Sequence, residues 1–161
     1  MGKIKLLVGL KIPDTTAITA FHTLEGIGYK ELKKLGREEY YEFSVTGNEE
    51  GFMKNIVKVD ILVNANKNYS KIFKEGNEEK IENTEKGIFI IKVIVKDTGN
   101  MFLGLLNSLR NMGFNNLTAV SKAILWSMHI SAKTEEEAKQ AAKKITENLL
   151  YNENYQEYKV I

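Results

Sequence analysis

The sequence repeats itself. Gly28-Tyr29 and Gly113-Phe114 lie 85 positions apart, and the same offset brings their surroundings into register. An alternation of Ile4, Leu6, Val8 and Leu10 is matched by Phe89, Ile91, Val93 and Val95. A helical stripe of Ala17, Ala20, Phe21, Leu24 and Ile27 is matched by Phe102, Leu105, Leu106, Leu109 and Met112. Few residues are identical between the copies. What persists is the side-chain period, two for strands and 3.6 for helices, which is what packing selects. A repeat of this kind constrains the fold more than any composition does, because each copy must be one structural unit.

Each copy reads as a series of elements. The first opens with a strand at Lys3–Lys11, broken by Pro13-Asp14, where Asp14 or Thr15 can cap a helix ending near Ile27. Gly28 closes that helix as a left-handed cap. Segments 30–36 and 40–45 read as two strands of a hairpin turning at Arg37-Glu38, with Tyr41, Phe43 and Val45 on one face. Segment 49–63 alternates like a strand through Val57, Val59, Ile61 and Val63. Its counterpart 134–150 is Ala-, Lys- and Glu-rich with Thr134 as cap, so both read as helices. Final strands are expected at 69–73 and 155–160.

That order is β-α-β-β-α-β twice. It predicts an α+β chain of two tandem ferredoxin-like repeats, each an antiparallel sheet with its helices on one face. The first helix of each copy is expected to pack on its own sheet, through Phe21, Leu24 and Ile27 and through Leu106, Leu109 and Met112. The repeats fall at 1–73 and 87–161, joined by an acidic linker at 74–86 that carries Glu75, Glu78, Glu79, Glu82 and Glu85. Units of about 70 residues are marginal alone. Fusion lets one copy cover the other, so the chain reads as a covalent pseudo-dimer.

Composition removes several functions. With 23 basic and 21 acidic residues the net charge is +2, which gives no pull toward nucleic acid or membrane. Cysteine is absent, so thiolate nucleophiles, thiolate metal sites and disulfides are excluded. His22 and His129 fall off the apolar stripes and read as surface groups. No phosphate loop, nucleophile elbow or zinc-helix motif occurs, so no catalytic residue, metal or cofactor is expected. The apolar run at 6–10 is too short to span a bilayer, and the expected setting is the cytoplasm.

Two resemblances add to this reading. The strand ending at Lys11, the turn Asp14–Ala17 and the helix closing in Leu24-Glu25-Gly26-Ile27-Gly28-Tyr29 resemble PurS, the small subunit of phosphoribosylformylglycinamidine synthase. The stretch from Thr134-Glu135-Glu136-Glu137-Ala138 through Leu149-Leu150-Tyr151-Asn152 to Tyr155, Tyr158 and Val160 looks like that family's closing helix and strand. The family's Asp-Pro-Gln-Gly turn is Asp14-Thr15-Thr16-Ala17 here, and its hairpin motif is replaced by Gly36-Arg37-Glu38-Glu39. The resemblance implies a non-catalytic subunit bridging an ATP-dependent synthetase and a glutaminase in purine biosynthesis. It points to Asp14, Thr15, Thr16, Arg37 and Tyr41 as partner contacts, with self-association of the fused chain left open. The alternative is an ACT-like regulatory module holding an amino acid or other small ligand between repeats. Asp97-Thr98-Gly99-Asn100 before Leu103 resembles the Asp-x-x-Gly turn of that class.

Overall fold

Helix ends in this chain are fixed by local chemistry. The computed structural model describes residues 2–78 and 85–161. It contains β1 (Gly2–Leu10), α1 (Thr15–Gly26), β2 (Leu32–Val45), α2 (Glu49–Ile56), β3 (Asn68–Lys74), β4 (Ile88–Asp97), α3 (Leu103–Asn111), β5 (Leu117–Ser131), α4 (Glu135–Ile145), a π-turn (Thr146–Leu150) and β6 (Gln156–Val160). Asp14 caps α1, Asn48 caps α2 and Thr134 caps α4, each accepting from backbone N–H groups of the first turn. Gly28, at φ +109°, ends α1 in a Schellman motif. Tyr29 N–H bonds to Leu24 O and Gly28 N–H to Glu25 O. Gly113, Phe114 and Leu109 repeat this at the end of α3.

The strands hydrogen-bond in the order β3-β1-β2-β5-β4-β6. The ladders of β1 with β2 and β3, and of β4 with β5 and β6, are antiparallel. The expected hairpin is not formed. Leu32–Val45 is one strand of 14 residues, and Arg37-Glu38 continues it. Gly36 has no positive φ to make a turn. Leu35, Tyr41, Phe43 and Val45, all of one parity, are buried along the strand, so an unbroken extended run satisfies them.

The chain divides into two compact units, and neither is one half of the sequence. The first holds β1, β2 from Glu39 onward, α2, β3, α3 and β5 up to Ala123. Its core gathers Ile4, Leu6, Phe43, Phe52 and Ile56 with Leu106, Leu109, Leu117 and Val120. Phe52 meets Phe43 and Phe114 edge to face, at 5.3 and 5.5 Å between ring centres. The second holds α1, β2 up to Glu38, β4, β5 from Ile124 onward, α4, the π-turn and β6. Its core gathers Ala17, Leu24, Leu32 and Leu35 with Val93, Trp126, Met128, Ile130, Ala142 and Ile145.

Each first helix therefore packs against the strands of the other half, not its own sheet as expected. Leu24 and Leu109 are fully buried as predicted, but in exchanged cores. Ile27 and Met112 are exposed, because each is the C-cap residue just before the left-handed glycine and has left the buried stripe.

One helix is shorter than expected. α2 stops at Ile56, and 57–67 is turns and irregular backbone that still bury Leu62 and Val63. Val57, Val59 and Ile61 are poor helix formers, and only the alanine-rich counterpart α4 continues. Residues 57–63 do not become a strand either. Of the acidic linker, Glu79 and Glu82 lie outside the described residues. Glu78 accepts from Lys5 Nζ at 2.8 Å.

The exchange generates a test. Leu24→Ala and Leu109→Ala should each cost about 2–5 kcal/mol in urea denaturation. Amide exchange should locate the damage. Leu24→Ala should speed exchange in β4 and β6, and Leu109→Ala in β1 and β3. The opposite assignment would contradict the exchanged cores.

Candidate functional site

The β1–α1 connection carries the first candidate position, Asp14, and ties in Arg37. Asp14 leaves β1 in extended backbone, and its Oδ1 accepts from Thr16 N at 3.0 Å and Ala17 N at 3.2 Å. The same carboxylate receives Arg37. Nε donates to Oδ2 at 2.9 Å and Nη2 to Oδ1 at 3.2 Å. This is a bidentate, largely buried pair, with 16% of the Asp14 and 28% of the Arg37 side chain exposed. One carboxylate thus starts α1 and anchors it to β2. Sequence alone places both residues on the surface as free contacts. The structure makes them a brace.

Thr15 and Thr16 do face solvent. They line a groove of about 440 Å³ with Thr19, Ala20 and Thr23 of α1. Trp126 of β5 and Leu149 and Leu150 of the π-turn complete it. No Lys, Arg, Asp or Glu occurs from Thr15 through Leu24, although six of those ten residues are exposed or nearly so as threonine, isoleucine or histidine. Charge depletion on an exposed face is the composition of an interface core.

The π-turn opens the groove's far wall. Thr146 is fully buried and its hydroxyl donates to Ala142 O at 2.8 Å, competing with the regular ladder where α4 gives way. Wide turns of this type recur at functional sites. Asn148 donates its amide to the Tyr29 hydroxyl, and the Tyr158 hydroxyl donates to Glu147 at 2.6 Å. That bond to a carboxylate pushes the Tyr158 phenol up to about 12. The groove's Trp126, Leu149 and π-turn were missed in the sequence. Leu149-Leu150 alone gives no sign that the helix widens there.

Tyr41 belongs to the other unit and does not join these residues. It is buried at 2% exposure. Its hydroxyl donates to Glu39 at 3.2 Å, its ring lies parallel to Phe43, and the Lys122 ammonium sits 5.5 Å from its centre. Burial, with Glu39 beside it, drives the phenol well above its usual range. Its side chain serves the core, while Glu39 and Lys122 pair at 3.3 Å on the rim.

The Asp97–Asn100 turn is occupied internally. Asp97 accepts from Gln156 Nε2 at 3.1 Å, and Thr98 donates both its N–H and hydroxyl to Tyr155 O. Gly99 adopts φ +71°, a turn requirement, and Asn100 accepts from Phe102 N at 2.8 Å. His22 is exposed and packs its ring edge to face with Phe21. His129 is half-buried on β5, where burial first and the Lys34 ammonium second pull its imidazole below the ordinary value, opposed by Glu85. Among the described residues no group of three or more His, Asp or Glu could hold a metal ion, and no helix is long and apolar enough to cross a membrane.

Two measurements check this geometry. Asp14→Ala should cost about 1–3 kcal/mol, having lost both cap and ion pair, and Asp14→Asn less, since the amide oxygen can still cap. The His129 imidazole is depressed in the fold, so its neutral form adds stability that is complete above about pH 6.5 and is lost as pH falls through the lower folded value. Thermal melts from pH 8 to pH 4 should show this slope, and His129→Gln should flatten it.

Comparison with known proteins finds one family likeness. Residues 105–161 match the PurS family model, described as phosphoribosylformylglycinamidine (FGAM) synthase. The match runs from within α3 to the chain's last strand and takes in α4 and β6, so over this stretch the chain is PurS-like. The Asp14–Ala17 turn lies outside it. No curated protein matches the chain.

Proposed function

We propose that this chain is a PurS-type subunit of FGAM synthase, taking part in purine biosynthesis in the cytoplasm. Its role is to hold the ATP-dependent synthetase and the glutaminase together without doing chemistry itself. The observation that carries this reading is the family match over 105–161. The physical logic is transfer of a small, volatile nucleophile such as ammonia, which is lost to solvent unless two active sites are kept in one assembly.

On this reading the chain is a duplicated PurS, with repeats at 1–73 and 87–161 joined by the acidic segment. The matching element order of the two halves and their exchange of first helices support that history. A family dimer made covalent would have both properties.

The partner surface we assign is the neutral groove beside Asp14. Thr15 and Thr16 supply contacts, Trp126 and Leu149 supply apolar area, and Asp14 with Arg37 fixes the start of α1. Tyr41 would act from beneath its own surface through the Glu39–Lys122 rim. Reversing Asp14 and Arg37 would disturb the fold, so the test uses Thr16→Glu with Thr19→Lys, both on exposed positions of α1.

Purified chain should hydrolyse neither ATP nor glutamine. It should co-purify with the synthetase or glutaminase of its own cell. The double variant should weaken that complex at least about tenfold with an unchanged melting temperature. Saturable calorimetric binding of one amino acid, with no affinity for either subunit, would replace this reading by the ACT-like one.

A further inference from the structure

β6 ends the hydrogen-bond order of the sheet, so one of its edges has no strand partner among the described residues. Its inward groups are fixed by the ladder to β4. Ile161 N–H bonds to Lys92 O, and Tyr155 O receives Thr98 N–H. In an antiparallel ladder alternate residues bond inward, so Tyr158 and Val160 turn their N–H and C=O groups outward. The same two residues line a cavity of about 440 Å³ with Lys139, Lys143 and Ile161. Open backbone groups, apolar side chains and two ammonium groups therefore converge on one edge.

The geometry points to this edge as a docking site for an extended, acidic segment of a partner polypeptide, added to the sheet as a further strand. Main-chain bonds to Tyr158 and Val160 would supply the affinity common to such additions. The lysines would supply the selectivity. Lys139 and Lys143 are one helical turn apart, about 6 Å along α4. Carboxylates two residues apart on one face of a strand are about 6.8 Å apart. The recognised pattern is thus acidic-x-acidic, with both carboxylates toward α4. Among the described residues, Glu135 pairs with this lysine couple, to Lys139 at 3.6 Å and on an exposed surface, so a partner carboxylate can displace it.

A second copy of the chain fits less well. Its own outer strand β3 carries Lys71 and Lys74 and no carboxylate, and β6 itself carries one, Glu157, beside Lys159. Pairing with β3 would bring ammonium groups together, and β6 offers one carboxylate where two lysines wait.

The probe is a fluorescein-labelled, end-blocked nonapeptide alternating valine and glutamate, titrated by anisotropy against the full chain. Saturable binding is expected. It should weaken at least about tenfold in Lys139→Gln/Lys143→Gln, recover in Lys139→Arg/Lys143→Arg, and fail for the valine–glutamine peptide. A peptide N-methylated at two successive outward-bonding positions should also lose binding, because it cannot make the main-chain bonds. No saturable binding up to about 1 mM overturns the proposal. So does binding that survives N-methylation, which would mean charge attraction alone. Concentration-dependent self-association that disappears in the lysine variants would assign the edge to a second copy and overturn it too.

Discussion

A strand of fourteen residues runs about 46 Å, far longer than a small sheet can cover with one pair of helices. β2 and β5 both exceed what one unit uses, and each is shared out between two cores. From that length follows the rest. The first part of β2 presents Leu32 and Leu35 to one core, and the later part presents Phe43 and Val45 to the other. Each unit then has a strand it did not supply from its own half, and each first helix finds its apolar cover across the sequence.

The functional reading depends on the same constraint. α1 must start at a defined place to present its threonine face. It is held there by one carboxylate that both caps it and grips Arg37 on β2. Removing charge from α1 costs solvation of that face and gives nothing to the core, where Ala17 and Leu24 already do the packing. Charge is concentrated instead on α2 and α4, where Glu49, Glu50, Lys139 and Lys143 lie. The two kinds of helix suit two kinds of contact, one by area and one by ions.

Much of the fold was readable because it is written in period and caps. Asp14, Thr134, Gly28 and Gly113 mark helix ends through bonds to their immediate neighbours, and such signals are local. The alternation at Ile4–Leu10 and Phe89–Val95 likewise gave β1 and β4. The hairpin at Arg37-Glu38 was misread because Gly36 looks like a turn residue. Whether a glycine turns depends on which core claims the residues beyond it, and that is not local. The exchange of helices was invisible for the same reason: Leu24 has the same stripe whichever sheet it covers. At the candidate site Thr15 and Thr16 were legible as exposed, whereas Arg37 reached Asp14 only through strand continuity. Tyr41 was chosen on position alone, and its parity with Phe43 and Val45 already pointed inward.

The interleaving also sets a timetable for synthesis. The first unit needs β5 up to Ala123, and the second opens at Pro13 yet waits for β6. No complete core exists until about three-quarters of the chain has left the ribosome. At about 5–20 residues per second, the nascent first half spends several seconds with its strands formed or forming and their apolar faces without α3. Its high proportion of distant pairings slows closure further. A cell making this chain therefore exposes the apolar faces of β1 and β2 to chaperones until α3 and β5 emerge.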